Sequence, residues 1–181
     1  MIKSTILLWI LSLNTILHAN DFKPHQLKLG EELIKFEYSL LKPLKTISES
    51  DSLKSLKTAH GVQLQYLSFL KSKEFDKASG LALDLEQAKK FTASFKAEGS
   101  NMAERVVKSY EQKSIYCELR QKDFSIIVLK NPDSDKRAYS YWVSKKDGDL
   151  YKTIALPFYY RKDLKGLLSV FSELDQGKWT P

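Results

Sequence analysis

Cysteine is almost absent from this chain. Cys117 is the only one among 181 residues, which excludes an intramolecular disulfide and leaves stability to packing. Glycine and proline are scarce as well, at 7 and 5 residues, and no segment recurs at a period of twenty to fifty residues. Fibrous, linker-rich and solenoid architectures are therefore excluded. Arginine is limited to Arg105, Arg120, Arg137 and Arg161, so lysine carries nearly all the positive charge. Lysine is a hydrated point charge suited to solubility and diffuse attraction, whereas base-edge and phosphate recognition favour the bidentate arginine fork. No apolar run is long enough to cross a bilayer, which takes about 20 residues. The longest, Ile6 to Leu17, is interrupted by Ser12, Asn14 and Thr15. Past the first twenty residues, histidine is confined to His25 and His60, at unrelated spacing and without companions, so there is no zinc signature.

An apolar content of 43% with 12% aromatics is enough for one domain with a real core. The opening MIKSTILLWILSLNTILHAN sets Lys3, the apolar run and the small Ala19 in the order of a secretory signal, so residues 1–19 read as a leader cut after Ala19. The expected location is periplasmic or extracellular. The formal net charge of +7 becomes +6 when Lys3 is removed with that leader. A lysine-rich surface outside the cytoplasm fits mild attraction to anionic envelope components. The expected partner is a small ligand or an envelope protein, not nucleic acid, with no membrane span after leader removal, no cofactor and no metal.

Residues 20–50 read as an N-terminal arm or helix. Leu33, Leu40, Leu41, Leu44 and Ile47 approximate one helical face, although Leu27 and Leu29, and the series Ile34, Phe36, Tyr38, also suit strands. Residues 51–181 read as a single α+β domain. The clearest helix carries Leu53, Leu56, His60, Leu67 and Leu70 on one stripe, and further helices are expected over Glu74 to Leu83, Leu85 to Ala97 and Ser100 to Gln112. After Lys113 the apolar period changes to two. Four strands follow, Ser114–Gln121, Phe124–Lys130, Arg137–Ser144 and Leu150–Phe158, whose short connections, Asp147-Gly148 among them, force an antiparallel meander. Asp163 then caps a terminal helix ended by Gly177. The expected fold is thus N-terminal helices on a curved four-stranded sheet, with a C-terminal helix.

No catalytic constellation emerges. Asp147 and Asp149 fall in a turn, and Cys117, alternating with Ile115 and Leu119, reads as a core thiol. Tyrosine and tryptophan on the sheet combine an apolar body with a polar tip, so they suit cavity walls. A pocket on the concave face, roofed by the helix around His60, would draw on His60, Tyr139, Tyr141, Trp142 and Tyr151. Helices first and a meander after, with YLSFLKSKEFDKA from Tyr66 to Ala78, is similar in layout to the nuclear-transport-factor-2-like and cystatin-like folds across Asp51 to Phe158. That resemblance implies a curved sheet and no particular activity.

Three functions follow as expectations. The first is an exported, non-enzymatic binding or accessory protein with a small pocket on the concave sheet face. The second is an inhibitor or immunity factor presenting Tyr159, Tyr160 and Trp179 as an exposed patch. The third is a hydrolase or isomerase that pairs His60 with a carboxylate distant in sequence.

Overall fold

A computed structural model of the chain describes residues 22–40, 55–97, 101–131, 139–154 and 162–181. The expected leader, Arg137 and Ala138 of the third expected strand, and residues 155–158 of the fourth lie outside them. The described residues form six strands, β1 (Lys23–Leu29), β2 (Glu32–Leu40), β3 (Ser114–Gln121), β4 (Phe124–Lys130), β5 (Tyr139–Asp147) and β6 (Leu150–Thr153). The helices are α1 (Ala59–Lys71), α2 (Phe75–Gly80), α3 (Leu85–Ala97), α4 (Asn101–Glu111) and α5 (Lys165–Asp175). All six strands join one antiparallel sheet in the order of the sequence.

Two expectations are corrected. The sheet has six strands rather than four, and strands precede the helices, because the residues read as an N-terminal helix form the β1–β2 hairpin. The decisive pattern there is alternation. Ile34 and Phe36 are buried and Tyr38 and Leu40 half-buried, while Leu33, Lys35 and Glu37 between them are exposed, which is period two. Gly30, at φ +62°, makes the tight turn that a helix would not need. The nuclear-transport-factor-2-like and cystatin-like layout, with helices leading into the sheet, is overturned with it.

The helical stripe around His60 is real but starts later than its leucines suggest. Thr58, extended at φ −127° and ψ 144°, is the N-cap, and its hydroxyl accepts from the Gly61 N–H at 3.1 Å. The turn before it lies across the first helical turn so closely that a Cβ on Gly61 would collide with the Ser55 carbonyl.

Helices cover both faces of the sheet, which divides the core in two. On one face α1 to α4 pack over Ile115, Ile127, Leu129, Trp142 and Tyr151. On the other α5 packs over Ile34, Phe36, Cys117, Leu119, Ile126, Val128 and Val143. This explains why β4 is buried without a break from Phe124 to Leu129: both of its alternating faces meet helices. A β-bulge between Ile115 and Cys117 shifts the alternation of β3. Ile115 therefore faces α1 to α4 while Cys117 and Leu119 face α5, correcting the expectation that the three share a face.

Candidate functional site

The bulge has a second effect, since it turns Glu118 toward α1. Glu118 is 1% exposed and His60 3%. Glu118 Oε1 accepts from Ser125 Oγ and from an Arg120 terminal nitrogen, both at 2.9 Å, and His60 Nδ1 stands 3.9 Å from Oε2, beyond hydrogen-bond reach. Burial opposes the charge of Glu118, but His60, Arg120 and Ser125 together outweigh it and hold the carboxyl below its ordinary range. Arg120 is clasped from outside by the Phe22 ring, 3.8 Å from the guanidinium carbon. Tyr151 closes the cluster through Ser125, and burial pushes its phenol up.

Beside this cluster, Gln63 ties α1 to the sheet. Its amide nitrogen donates to the Val143 carbonyl at 2.8 Å and to Ser144 Oγ at 2.9 Å, and its oxygen accepts from Thr153 Oγ1 at 3.0 Å. Ser144 Oγ in turn donates to the Ala59 carbonyl at 3.1 Å. These buried polar groups satisfy one another and fix the docking of α1.

A cavity of about 380 Å³ opens beside β5. β6 pairs with β5 from Asp147–Leu150 to Ser144–Thr153, and the Ile154 N–H donates to the Val143 carbonyl at 3.0 Å. On one side the wall comes from Tyr66, Leu67, Phe91, Val106, Tyr110 and Trp142, and on the other from Tyr139, Tyr141, Ile154 and Phe171. Gln63, Asn131, Ser140, Thr153 and Asp175 supply its polar atoms. The rings support each other, with Tyr110 and Trp142 centroids 5.2 Å apart and Tyr141 and Phe171 4.4 Å apart. Burial pushes the Tyr66 phenol up to about 12, so Tyr66 is neutral across the physiological range.

Of the residues expected to share a site, Tyr139, Tyr141 and Trp142 line this cavity, whereas His60 and Tyr151 belong to the buried polar cluster and line neither it nor the shallow groove beside β1 and β2. Tyr139 and Tyr141 stand on the face opposite Trp142, and residues of both faces line the cavity. Trp179 is corrected as a patch residue. It is 8% exposed, donates its indole N–H to His25 Nε2 at 3.1 Å, and meets Phe36 and Tyr38 edge to face. Tyr159 and Tyr160 lie outside the described residues.

Sequence reasoning missed Tyr66, Phe91, Tyr110 and Phe171 as wall residues, and Gln63, Glu118 and Arg120 as a buried network. The aromatics carried a signal, helical spacing toward the core, but nothing told a cavity wall from a filled core. For Glu118 the signal would have been a charged residue inside an apolar strand.

Chemically the arrangement suits binding. Among the described residues no group of three or more His, Cys, Asp or Glu side chains is placed to hold a metal ion. Burial pushes the Cys117 thiol far up, as in an inert core cysteine. Among the described residues no helix is long and apolar enough to cross a membrane. No family model matches this chain, and no curated protein or solved structure matches it either.

Proposed function

We propose that this is an exported, non-enzymatic binding protein of the cell envelope that holds a small apolar ligand in the cavity at the end of β5. The observation that carries the reading is the aromatic cavity itself. Its volume of about 380 Å³ falls within the range of small-molecule sites, roughly 300–1,000 Å³, and most of its wall is apolar. Among the described residues of the wall, tyrosines apart, Asp175 is the only ionisable one. A binding function needs no converging acids and bases, whereas acid–base catalysis does. Export rests on the signal-like layout of residues 1–19.

The hydrolase or isomerase reading gains less support. His60 does approach a carboxylate distant in sequence, but both are sealed between α1 and the sheet, away from the two cavities described. The neutral fluorophore N-phenyl-1-naphthylamine tests the binding reading. Wild-type protein should raise its fluorescence with micromolar affinity, about −8 kcal/mol. Val106→Phe, which fills the cavity, should abolish the signal with little change in melting temperature. Absence of any signal from folded wild-type protein would remove the reading.

A further inference from the structure

The end of the cavity at Ser140 has a cation behind it. Lys113 sits in the two-residue step between α4 and β3, so its position is fixed by both elements. Its side chain runs along the Tyr110 ring, with Nζ 4.4 Å from the centroid, and donates to Ser140 Oγ at 3.1 Å. Tyr110 and Ser140 are both wall residues. The Ser140 hydroxyl passes the hydrogen bond on to Asn131 Oδ1, at 3.4 Å, so the donor direction runs from the ammonium toward the polar end of the cavity.

Lys113 belongs with Lys145, over the Phe124 ring, and Lys152, which donates to the Gly80 carbonyl, and not with the lysines that meet a glutamate. Lys71, Lys73, Lys77, Lys89 and Lys178 are exposed and lie within ion-pair distance of a glutamate. Lys113 is half-buried, and among the described residues no carboxylate stands within ion-pair range of it. Desolvation lowers its pKa, as expected for an ammonium with only a neutral hydroxyl and a ring as partners. An ammonium carries three N–H donors, and Ser140 takes one.

The rival charge lies on the other face of β5. Asp175, on the last turn of α5, lines the cavity from the α5 side, and its Oδ1 accepts from the Tyr139 N–H at 3.3 Å. The two charges polarise the cavity in one sense, with an anion favoured at Ser140 and disfavoured near Asp175. A bound cation would meet the reverse, disfavoured at Ser140 and favoured near Asp175.

Resting on the binding reading above, we propose that the ligand is an amphiphile with one anionic end, in its simplest form a fatty or aryl carboxylate. Its apolar body lies among the cavity aromatics, and its anion is held at the Ser140 end by the Lys113 ammonium. A charge-assisted hydrogen bond to a carboxylate is worth about tenfold in affinity.

Decanoate, decanol and decylammonium share one alkyl body and differ in charge, so competition of each against N-phenyl-1-naphthylamine isolates the anionic end. Wild-type protein should prefer decanoate over decanol by about tenfold. Lys113→Met should bring decanoate down to the level of decanol while decanol is unchanged, and Lys113→Arg should keep the preference. Equal binding of decanoate and decanol, an unaffected Lys113→Met variant, or a preference for decylammonium would each overturn the proposal. In those cases the neutral fluorophore still binds and the cavity reading stands. Loss of fluorophore binding in the wild type would instead remove both.

Discussion

At the scale of single residues, Glu118 shows how a buried charge is tolerated. Its carboxylate is fully enclosed, yet Ser125 and Arg120 each supply a hydrogen bond at 2.9 Å, and Arg120 shares its charge with the Phe22 face. Removing one partner of such a pair is costly because the other is left unmatched. Glu118→Gln should therefore destabilise by about 2 kcal/mol, less than for a fully enclosed pair because Arg120 keeps some contact with water. Denaturant melts would measure it. The sign with pH follows from the depressed carboxyl. Its contribution is complete above the ordinary glutamate range and is lost as pH falls through the lower, folded-state pKa. Acid should consequently erode the stability of the wild type more steeply than that of Glu118→Gln. Equal acid limbs for the two proteins would contradict this account.

At the scale of elements, α1 is positioned by its first turn and by Gln63. Thr58 ends the preceding turn and caps the helix, and the Ser55 carbonyl occupies the space where a side chain at position 61 would begin. Helix propensity alone favours alanine over glycine by about 1 kcal/mol, so a free helix would gain from Gly61→Ala. Here the collision should reverse the sign and cost about 2 kcal/mol or more, since the neighbour is backbone and has little room to shift. A thermal melt of Gly61→Ala that matched or exceeded the wild type would refute the packing of that turn. At the opposite end of the chain, Trp179 closes over His25, Phe36 and Tyr38, so the C-terminal residues hold the β1–β2 hairpin in the α5-side core. The hydrogen bond from the indole requires the acceptor nitrogen of His25 to be unprotonated.

At the scale of the whole molecule, the cavity lies beside a sheet with helices on both faces. Its described wall draws on both layers, with Tyr66, Phe91 and Tyr110 from the α1–α4 side and Phe171 and Asp175 from the α5 side. The proposed export is also read at this scale. A cut after Ala19 leaves Asn20 and Asp21 ahead of Phe22, whose ring covers Arg120, and β1 begins at Lys23. Protein recovered from its native cell should begin at Asn20, read by N-terminal sequencing. An intact Met1 in cytosolic protein would end the envelope role.

The sequence by itself determined the elements whose periodicity was unambiguous. The spans of β3 and β4 follow from short apolar runs bounded by turn residues, and the helices α3 and α4 from apolar spacing near 3.6 residues. Tertiary structure decided the rest. Leu27 to Leu40 fit a helix or a hairpin about equally as a pattern, and pairing with β3 selected the hairpin. The bulge in β3 is a property of pairing between two strands, so no reading of one strand could move Glu118 to the α1 face. The coverage of both sheet faces depended on where α5 docks, and with it the burial of Trp179. Of the residues singled out from the sequence, Tyr139, Tyr141 and Trp142 reached the cavity and His60 and Tyr151 did not, because a cavity is set by where layers fail to meet, and only the packed layers define that.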